Sequence, residues 1–346
     1  MLKFILIGLA AVVVIFLVAA AIQPTEFRIT RSATFAAPPS AVFAQNSYPT
    51  APVRLVVSLP PGGVVEVLAR GFGERFRRDF GQPIVIENVP GAAGVVGATR
   101  VARARPDGYT VGLVVSSGIV TSIYTHQNMQ FDPDKDLAPI IVATQTIDAL
   151  VVHKSLPVNS LKEYIALARA RPGELAYGSP GFGSPHHYAG EFLSALTGVK
   201  LNHIPYKGSS EAANELVAGH VPSAIVALGL VMEQAKAGKV RILALTDDQR
   251  TPKAPDIPTI GEVVKGFAHA PAPWTGLFVP AQTPKDVIAT LNRGMNSALR
   301  EPELSRQLTD LFLFPIGGTP EAVVEKVRYE REVAKKLAGR IVLQAG

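Results

Sequence analysis

Two glycine-rich segments have the composition of an anion-binding loop: Pro60 to Gly63 (PPGG) and Gly178 to Ser184 (GSPGFGS). Proline stiffens such a loop, and glycine lets backbone N–H groups approach a ligand closely. A helix that begins directly after the loop adds partial positive charge. We therefore predict that each loop can hold a small organic anion; the alternative for each is a plain tight turn. Glu66, in the first turn after the first loop, either favours the helix dipole or contacts a ligand amine or water.

The second loop carries a helix start signal. Ser184 is a good N-cap residue and Pro185 suits the first helical position, so His186 and His187 fall in the first turn. Both loops follow predicted strands, and ligands of open α/β folds bind outside the carboxyl ends of strands. We expect the two loops, one from each half of the molecule, to face each other across a cleft.

A third glycine-rich segment runs from Gly91 to Gly97 (GAAGVVG). Its spacing, G-x-x-G-x-x-G, differs from the dinucleotide fingerprint G-x-G-x-x-G, and it does not directly follow a strand. A tight turn that lets a helix pack closely is the better interpretation.

Catalysis and metal binding are not supported. Ser184 precedes His186 and His187, but the segment lacks the G-x-S-x-G elbow of a hydrolase. The two histidines are consecutive and point about 100° apart on a helix, so they do not easily share a metal. The chain has no cysteine. We expect no enzyme activity, no metal and no cofactor.

The rest of the pattern alternates strands with helices. We predict strands at 53–59, 83–87, 109–115, 137–143, 149–153, 175–177, 224–228, 241–246 and 274–279. We predict helices at 64–80, 94–105, 160–171, 185–196, 285–300 and 320–337. This alternation predicts two α/β lobes with largely parallel sheets, a hinge of crossing strands near 146–153 and 272–279, and a cleft between the lobes.

Composition agrees with a folded binding protein. The chain has 346 residues, 47% hydrophobic and 18% charged, which suits about two domains. Its formal charge of +6 is modest and no dense basic run occurs, so nucleic-acid binding is not expected.

The N-terminus is distinct from the rest. An apolar or small run from Phe4 to Ile22 follows Lys3, which predicts an export signal that is either cleaved or retained as an anchor. Cleavage is expected near Ala19 to Ala21 or after Ala44. Residues 23–47 form a segment of uncertain origin. Residues 1–45, including EFRITRSATFAAPPSAVFAQ, resemble the N-terminus of a membrane-anchored polyketide-cyclase-like protein.

From Tyr48 onward the chain resembles a known family of receptors. The segments that carry the resemblance are YPTAPVRLVVSLPPGGVVEVLAR, GQPIVIENVPGAAGVVGA, PDGYTVGL, GSPGFGSPHHYAGEFL, HIPYKGSSEAANELVAGHV, AGKVRILALT, PDIPTIGE and WTGLFVPAQTPKDVI. Together they are similar to the substrate-binding proteins of tripartite tricarboxylate transporters, the Bug-type receptors.

The resemblance implies a two-lobed periplasmic-binding-protein fold of the type II kind, with lobe 1 at 48–147 plus 272–346 and lobe 2 at 148–271. It implies a periplasmic receptor that closes on a carboxylate and delivers it to membrane transporter subunits. Monomer is the default expectation for a receptor that must open and close. The first alternative is an orphan ligand-sensing receptor of the same fold, and the second, ranked below it, is a hydrolase on this scaffold. The expected ligand-binding residues are Leu59, Pro61, Gly62, Gly63, Val64, Glu66, Ser117, Gly181, Gly183, Ser184 and His187.

The chain departs from the family pattern at several places. The family usually has Phe at Leu59, Asp at Glu66, Arg or Lys at Val89 and Asn at Val95. A segment similar to Asp-x-Met-Phe-Asp-Asn reads PSAIVA at 222–227 here. These lost polar groups argue against a highly charged ligand such as citrate. We therefore expect a monocarboxylate with an apolar or aromatic body.

Overall fold

The β-branched runs of the chain form two separate mixed sheets, each flanked by helices. The structure is a computed structural model that describes residues 48–126, 129–267 and 271–338, with the backbone alone for the last three of these. The predicted export signal or anchor (1–22), the segment 23–47 and the polyketide-cyclase-like resemblance lie outside the described residues. None of the described helices is long and apolar enough to cross a membrane.

The first sheet has six strands in the order β11-β4-β10-β3-β1-β2, and the second has five in the order β7-β6-β8-β5-β9. The strands are β1 (Val53–Val57), β2 (Ile84–Asn88), β3 (Thr110–Val115), β4 (Leu137–Thr146), β5 (Asp148–His153), β6 (Ala176–Ser179), β7 (Asn202–Pro205), β8 (Ser223–Ala227), β9 (Val240–Leu245), β10 (Trp274–Pro280) and β11 (Leu313–Gly317). We call the part that carries the six-stranded sheet lobe 1, and the part that carries the five-stranded sheet lobe 2.

Helices cover the sheets and connect most of the strands. They are α1 (Val65–Phe80), α2 (Val95–Ala102), α3 (Ser122–Thr125), α4 (Pro133–Asp136), α5 (Leu161–Ala170), α6 (Pro185–Thr197), α7 (Ser209–Ala218), α8 (Met232–Lys236), α9 (Ile260–Val263), α10 (Lys285–Leu299), α11 (Pro302–Asp310) and α12 (Pro320–Ala338). The N-cap signals are confirmed, because Ser160 Oγ accepts from Glu163 N–H and Ser184 Oγ accepts from His187 N–H.

Helix α1 shows how the sequence positions the first loop. Its apolar residues recur at helical spacing, and Leu68, Phe72 and Phe76 are fully buried against the six-stranded sheet. The helix ends at Gly81, whose φ of 72° is a left-handed conformation that favours glycine. Burial of this face fixes the helix, and with it the loop that precedes the helix.

The prediction of largely parallel sheets is wrong. Strand β1 is parallel to both β2 and β3, and β6 is parallel to β7 and β8. The remaining pairs are antiparallel: β10 with β3 and β4, β11 with β4, and β5 with β8 and β9. For β4 and β10 the reason is the path of the chain: it leaves lobe 1 at the end of β4 and returns beside that point at the start of β10, so the two strands run in opposite directions.

The chain passes between the lobes twice, at neighbouring places. Strand β4 of lobe 1 ends at Thr146 and β5 of lobe 2 begins at Asp148, so Ile147 alone joins them. The return path enters lobe 1 at Trp274, the first residue of β10. The N–H of Thr146 donates to the Pro273 carbonyl at 2.8 Å, so the two crossings are hydrogen-bonded to each other.

Candidate ligand-binding cleft

A cavity of about 80 Å³ lies between the lobes, at the carboxyl ends of β1, β3, β6 and β8. One water needs roughly 10–15 Å³ of such space, so the cavity holds several waters or a small molecule. Its exposed surface is mostly apolar, although nine of the twenty lining residues have polar side chains. The lining residues are Leu59, Val64, Val65, Ala93, Gly94, Val115, Ser116, Ser117, Thr146, Asp148, Pro180, Ser184, Pro185, His186, Lys207, Ser209, Ala227, Pro273, Trp274 and Thr275.

In lobe 1, the loop between β1 and α1 has backbone donors without an acceptor in the described part of the chain, and two of the residues that carry them, Val64 and Val65, line this cavity. Among the described residues, none accepts a hydrogen bond from the N–H groups of Gly63, Val64 or Val65. Gly62 differs, because its N–H donates to Glu66 Oε2 at 2.7 Å. Glu66 also accepts from Arg70 Nε at 3.0 Å, and these hydrogen bonds lower the pKa of Glu66. Glu66 therefore holds the loop in shape.

In lobe 2, the loop between β6 and α6 is held by the buried imidazole ring of His187. The N–H of Gly183 donates to His187 Nδ1 at 3.1 Å, and the Gly181 N–H donates to Ser179 Oγ at 3.2 Å. The His187 ring stacks on His203 with centroids 4.0 Å apart. His203 Nε2 lies 2.6 Å from the same Ser179 hydroxyl, so the two histidines and Ser179 form one network beneath the loop.

Both histidines of this network are neutral near neutral pH. Burial, and then the neighbouring His203, lower the pKa of His187 to about 3. Burial lowers the pKa of His203 to about 4. The hydrogen bond from Gly183 agrees with this, because Nδ1 can accept it only while that nitrogen carries no proton.

The third glycine-rich segment also reaches the cavity. Ala92 and Ala93 have positive φ values of 46° and 50°, and Ala93 and Gly94 line the cleft. A Cβ at Gly97 would lie 2.7 Å from Ser58 Cβ, so helix α2 packs closely on β1 at this point. The sequence-based interpretation of a tight turn for close packing fits this geometry, but it missed the contribution of the turn to the cleft.

The structure divides the predicted site residues into two groups. Leu59, Val64, Ser117 and Ser184 line the cavity. The others lie outside that lining: Pro61, Gly62, Gly63, Glu66, Gly181, Gly183 and His187. In this structure the Gly62 N–H donates to Glu66, and the Gly183 N–H donates to the Nδ1 of His187. As ligand contacts, the residues of both groups stay predictions.

Three ionisable side chains of the cleft were not among the predicted site residues. Asp148, His186 and Lys207 line the cavity, together with the buried Trp274. Asp148 did carry a signal, since it is an acidic residue at the start of the otherwise apolar strand β5. The prediction began that strand at Ala149 and so left Asp148 out.

The lobes touch along the cleft. Thr121 Oγ1, from lobe 1, donates to the Gly183 carbonyl of lobe 2 at 2.5 Å. A Cβ at Gly208 of lobe 2 would lie 2.7 Å from Pro60 Cγ of lobe 1, and a Cβ at Gly183 would lie 2.5 Å from Thr125 Oγ1. The two loops are therefore seen in contact with the opposite lobe, as in a closed cleft.

Comparison with known proteins identifies the family of this two-lobed chain. The model of the "Tripartite tricarboxylate transporter family receptor" matches residues 68–336. The chain belongs to this receptor family. Protein BugT of Bordetella pertussis is 33% identical over 292 residues, which cover 84% of this chain and 88% of BugT. The predicted Bug-type resemblance is thus confirmed, and this family member is a solute-binding receptor.

Solved structures of similar sequence share the fold. A protein of R. palustris with adipate is 34% identical, covers 85% of this chain and 98% of its own, and superposes with a TM-score of 0.80. MatC from Rhodopseudomonas palustris, with bound malate, is 29% identical, covers 84% of this chain and 99% of its own, and has a TM-score of 0.78. The predicted two-lobed periplasmic-binding-protein fold is confirmed.

Proposed function

We propose that this receptor captures a small carboxylate in the interlobe cleft and delivers it to the membrane subunits of a tripartite tricarboxylate-type transporter. The observation that carries the ligand class is the pair of unused N–H groups at Val64 and Val65, which line the cavity at the positive end of helix α1. The adipate and malate bound by two similar receptors support the same class.

The finer points of the proposal rest on the sequence and on the lining of the cleft. The ligand is a monocarboxylate with an apolar or aromatic body, because residues such as Leu59, Val115 and Trp274 surround the space beside the loops. The lobes comprise 48–147 plus 272–346 and 148–271. The protein is exported to the periplasm by its N-terminal apolar run, works as a monomer, and releases its ligand unchanged.

A thermal-shift screen tests the ligand class. The purified full-length protein is heated with a panel of mono- and dicarboxylates, each paired with its uncharged amide of nearly equal size. A ligand at a hundredfold excess over its Kd stabilises the folded state by about 2.7 kcal/mol. The melting temperature then rises by several degrees with the acid and stays unchanged with the amide. Shifts with the amides alone, or with neither, would contradict the proposal.

A further inference from the structure

An incompletely bonded acid–base pair lies in the wall of the cleft. The carboxylate of Asp148 and the ring of His186 both line the cavity, and their side chains are 2% and 9% exposed. His186 Nε2 lies 2.7 Å from Asp148 Oδ2, but the direction of approach is not that of a hydrogen bond. Asp148 Oδ1 and both ring nitrogens of His186 have no hydrogen-bond partner among the described residues.

Such atoms are costly to bury without partners, so the cleft is complete only when something bonds to them. No described lysine or arginine lies within ion-pair distance of Asp148, whose one basic neighbour there is His186. A carboxylate oxygen accepts hydrogen bonds and donates none. The missing partner of Asp148 Oδ1 is therefore a hydrogen-bond donor.

The surroundings of Asp148 also disfavour a second negative charge. Burial, and then the charge of Asp148, raise the pKa of the neighbouring Asp247 to about 7. A ligand carboxylate placed beside Asp148 would meet the same repulsion. Val64 and Val65, with their free N–H groups, and Asp148, with its acceptor oxygens, thus offer opposite hydrogen-bonding chemistry to one cavity.

We propose that Asp148, with His186, selects a carboxylate whose apolar body carries a hydrogen-bond donor, either a hydroxyl or a protonated amine, over acids that lack one. This inference rests on the proposed carboxylate-binding function and names the ligand class more narrowly. The carboxylate lies at the helix α1 end, and the donor bonds to Asp148. His186 is a positioning residue, since it holds the carboxylate of Asp148 from one side.

Calorimetric titration with matched acids tests the proposal on the purified full-length protein. Each pair exchanges the donor for a methyl group of similar size: β-hydroxybutyrate against isovalerate, δ-aminovalerate against hexanoate, and para-hydroxybenzoate against para-methylbenzoate. Hydrogen bonds to charged groups predict that, in at least one pair, the donor acid binds roughly 10- to 100-fold more tightly. Asp148→Asn reduces this ratio to within a few-fold, whereas Asp256→Asn, at an exposed position, leaves it unchanged.

A second variant keeps the test independent of the folding of Asp148→Asn. His186→Gln frees the Asp148 side chain on one side, and we expect it to lower the same ratio. The proposal is overturned if the methyl acids or adipate bind as tightly as the donor acids, or if the ratio survives Asp148→Asn. Tight binding of acids without donors would leave the carboxylate-receptor function standing, whereas no binding of any acid, adipate included, would overturn both.

Discussion

The loop of lobe 1 between Leu59 and Val64 is held by a charged side chain near the surface, whereas the loop of lobe 2 between Pro180 and Ser184 is held by a neutral ring in the interior. Glu66 binds the first loop through Gly62 N–H and is itself bound by Arg70. His187 binds the second loop through Gly183 N–H. The side chain of Glu66 is 23% exposed and that of His187 only 4%.

Two similar glycine-rich loops are therefore held in place by different kinds of interaction, one exposed and charged, the other buried and neutral. An exposed ion pair contributes at most about 1 kcal/mol and weakens with salt. A buried acceptor is harder to replace, because its loss leaves an N–H group without water or protein as a partner. We therefore expect lobe 2 to be the more sensitive half of the cleft.

The largest expected difference comes from the same substitution in both loops. Gly62 and Gly183 have similar φ values, 80° and 76°, so alanine strains either backbone by about 1–2 kcal/mol. Nothing lies within 4 Å of a Cβ at Gly62, whereas a Cβ at Gly183 meets Thr125 of lobe 1. Titration with the preferred acid should show at least a roughly tenfold loss of affinity for Gly183→Ala, and far less for Gly62→Ala. Equal losses would contradict the account of closure.

Removing the two side chains that hold the loops gives a smaller difference. His187→Leu leaves Gly183 N–H buried without an acceptor and should lower the free energy of unfolding by about 1–3 kcal/mol. Glu66→Leu removes the acceptor of Gly62 N–H at an exposed position, where water replaces it, and should cost less than about 1 kcal/mol. Urea unfolding measures both. A larger cost for Glu66→Leu would reverse the comparison.

Part of the loss of stability at acid pH should come from His187 of lobe 2. His187 is neutral in the folded protein because its pKa is lowered to about 3, while in the unfolded chain its pKa is about 6.5. The unfolded chain binds the proton first, so stability from this group is lost as the pH falls below about 6.5. By pH 5 the loss from His187 approaches about 2 kcal/mol. In urea unfolding, the free energy of unfolding should fall less on acidification for His187→Leu than for the wild type. An equal fall in both proteins would exclude His187 as its source.

Much of the fold was predictable because its signals are local. The helix of residues 185–197 was marked by Ser184 and Pro185, and helix α1 by its apolar spacing. The short strand β7 and the edge strand β11 were missed, because four or five half-buried residues with proline give no clear alternation. Strand direction was also missed, since it depends on which segments become neighbours.

The cleft was predictable in position more than in chemistry. Glycine and a capping serine are visible in sequence, so the loops at Leu59–Val64 and at Ser184 were found. Which of the consecutive histidines faces the cavity depends on the rotation of helix α6, and sequence reasoning chose His187 where the structure places His186. Asp148 and Trp274 come from the two crossings between the lobes, and only the fold brings them to the loops.

Calorimetric titration of Gly208→Ala tests the central claim, closure on a ligand, most directly. Gly208 has an extended φ of −179°, which any residue adopts, so alanine adds no backbone strain there. In the closed cleft of this structure, its Cβ would lie 2.7 Å from the Pro60 ring of lobe 1. The account predicts at least a roughly tenfold weaker affinity for the preferred carboxylate, with an unchanged melting temperature in the absence of ligand. Wild-type affinity in Gly208→Ala would contradict it.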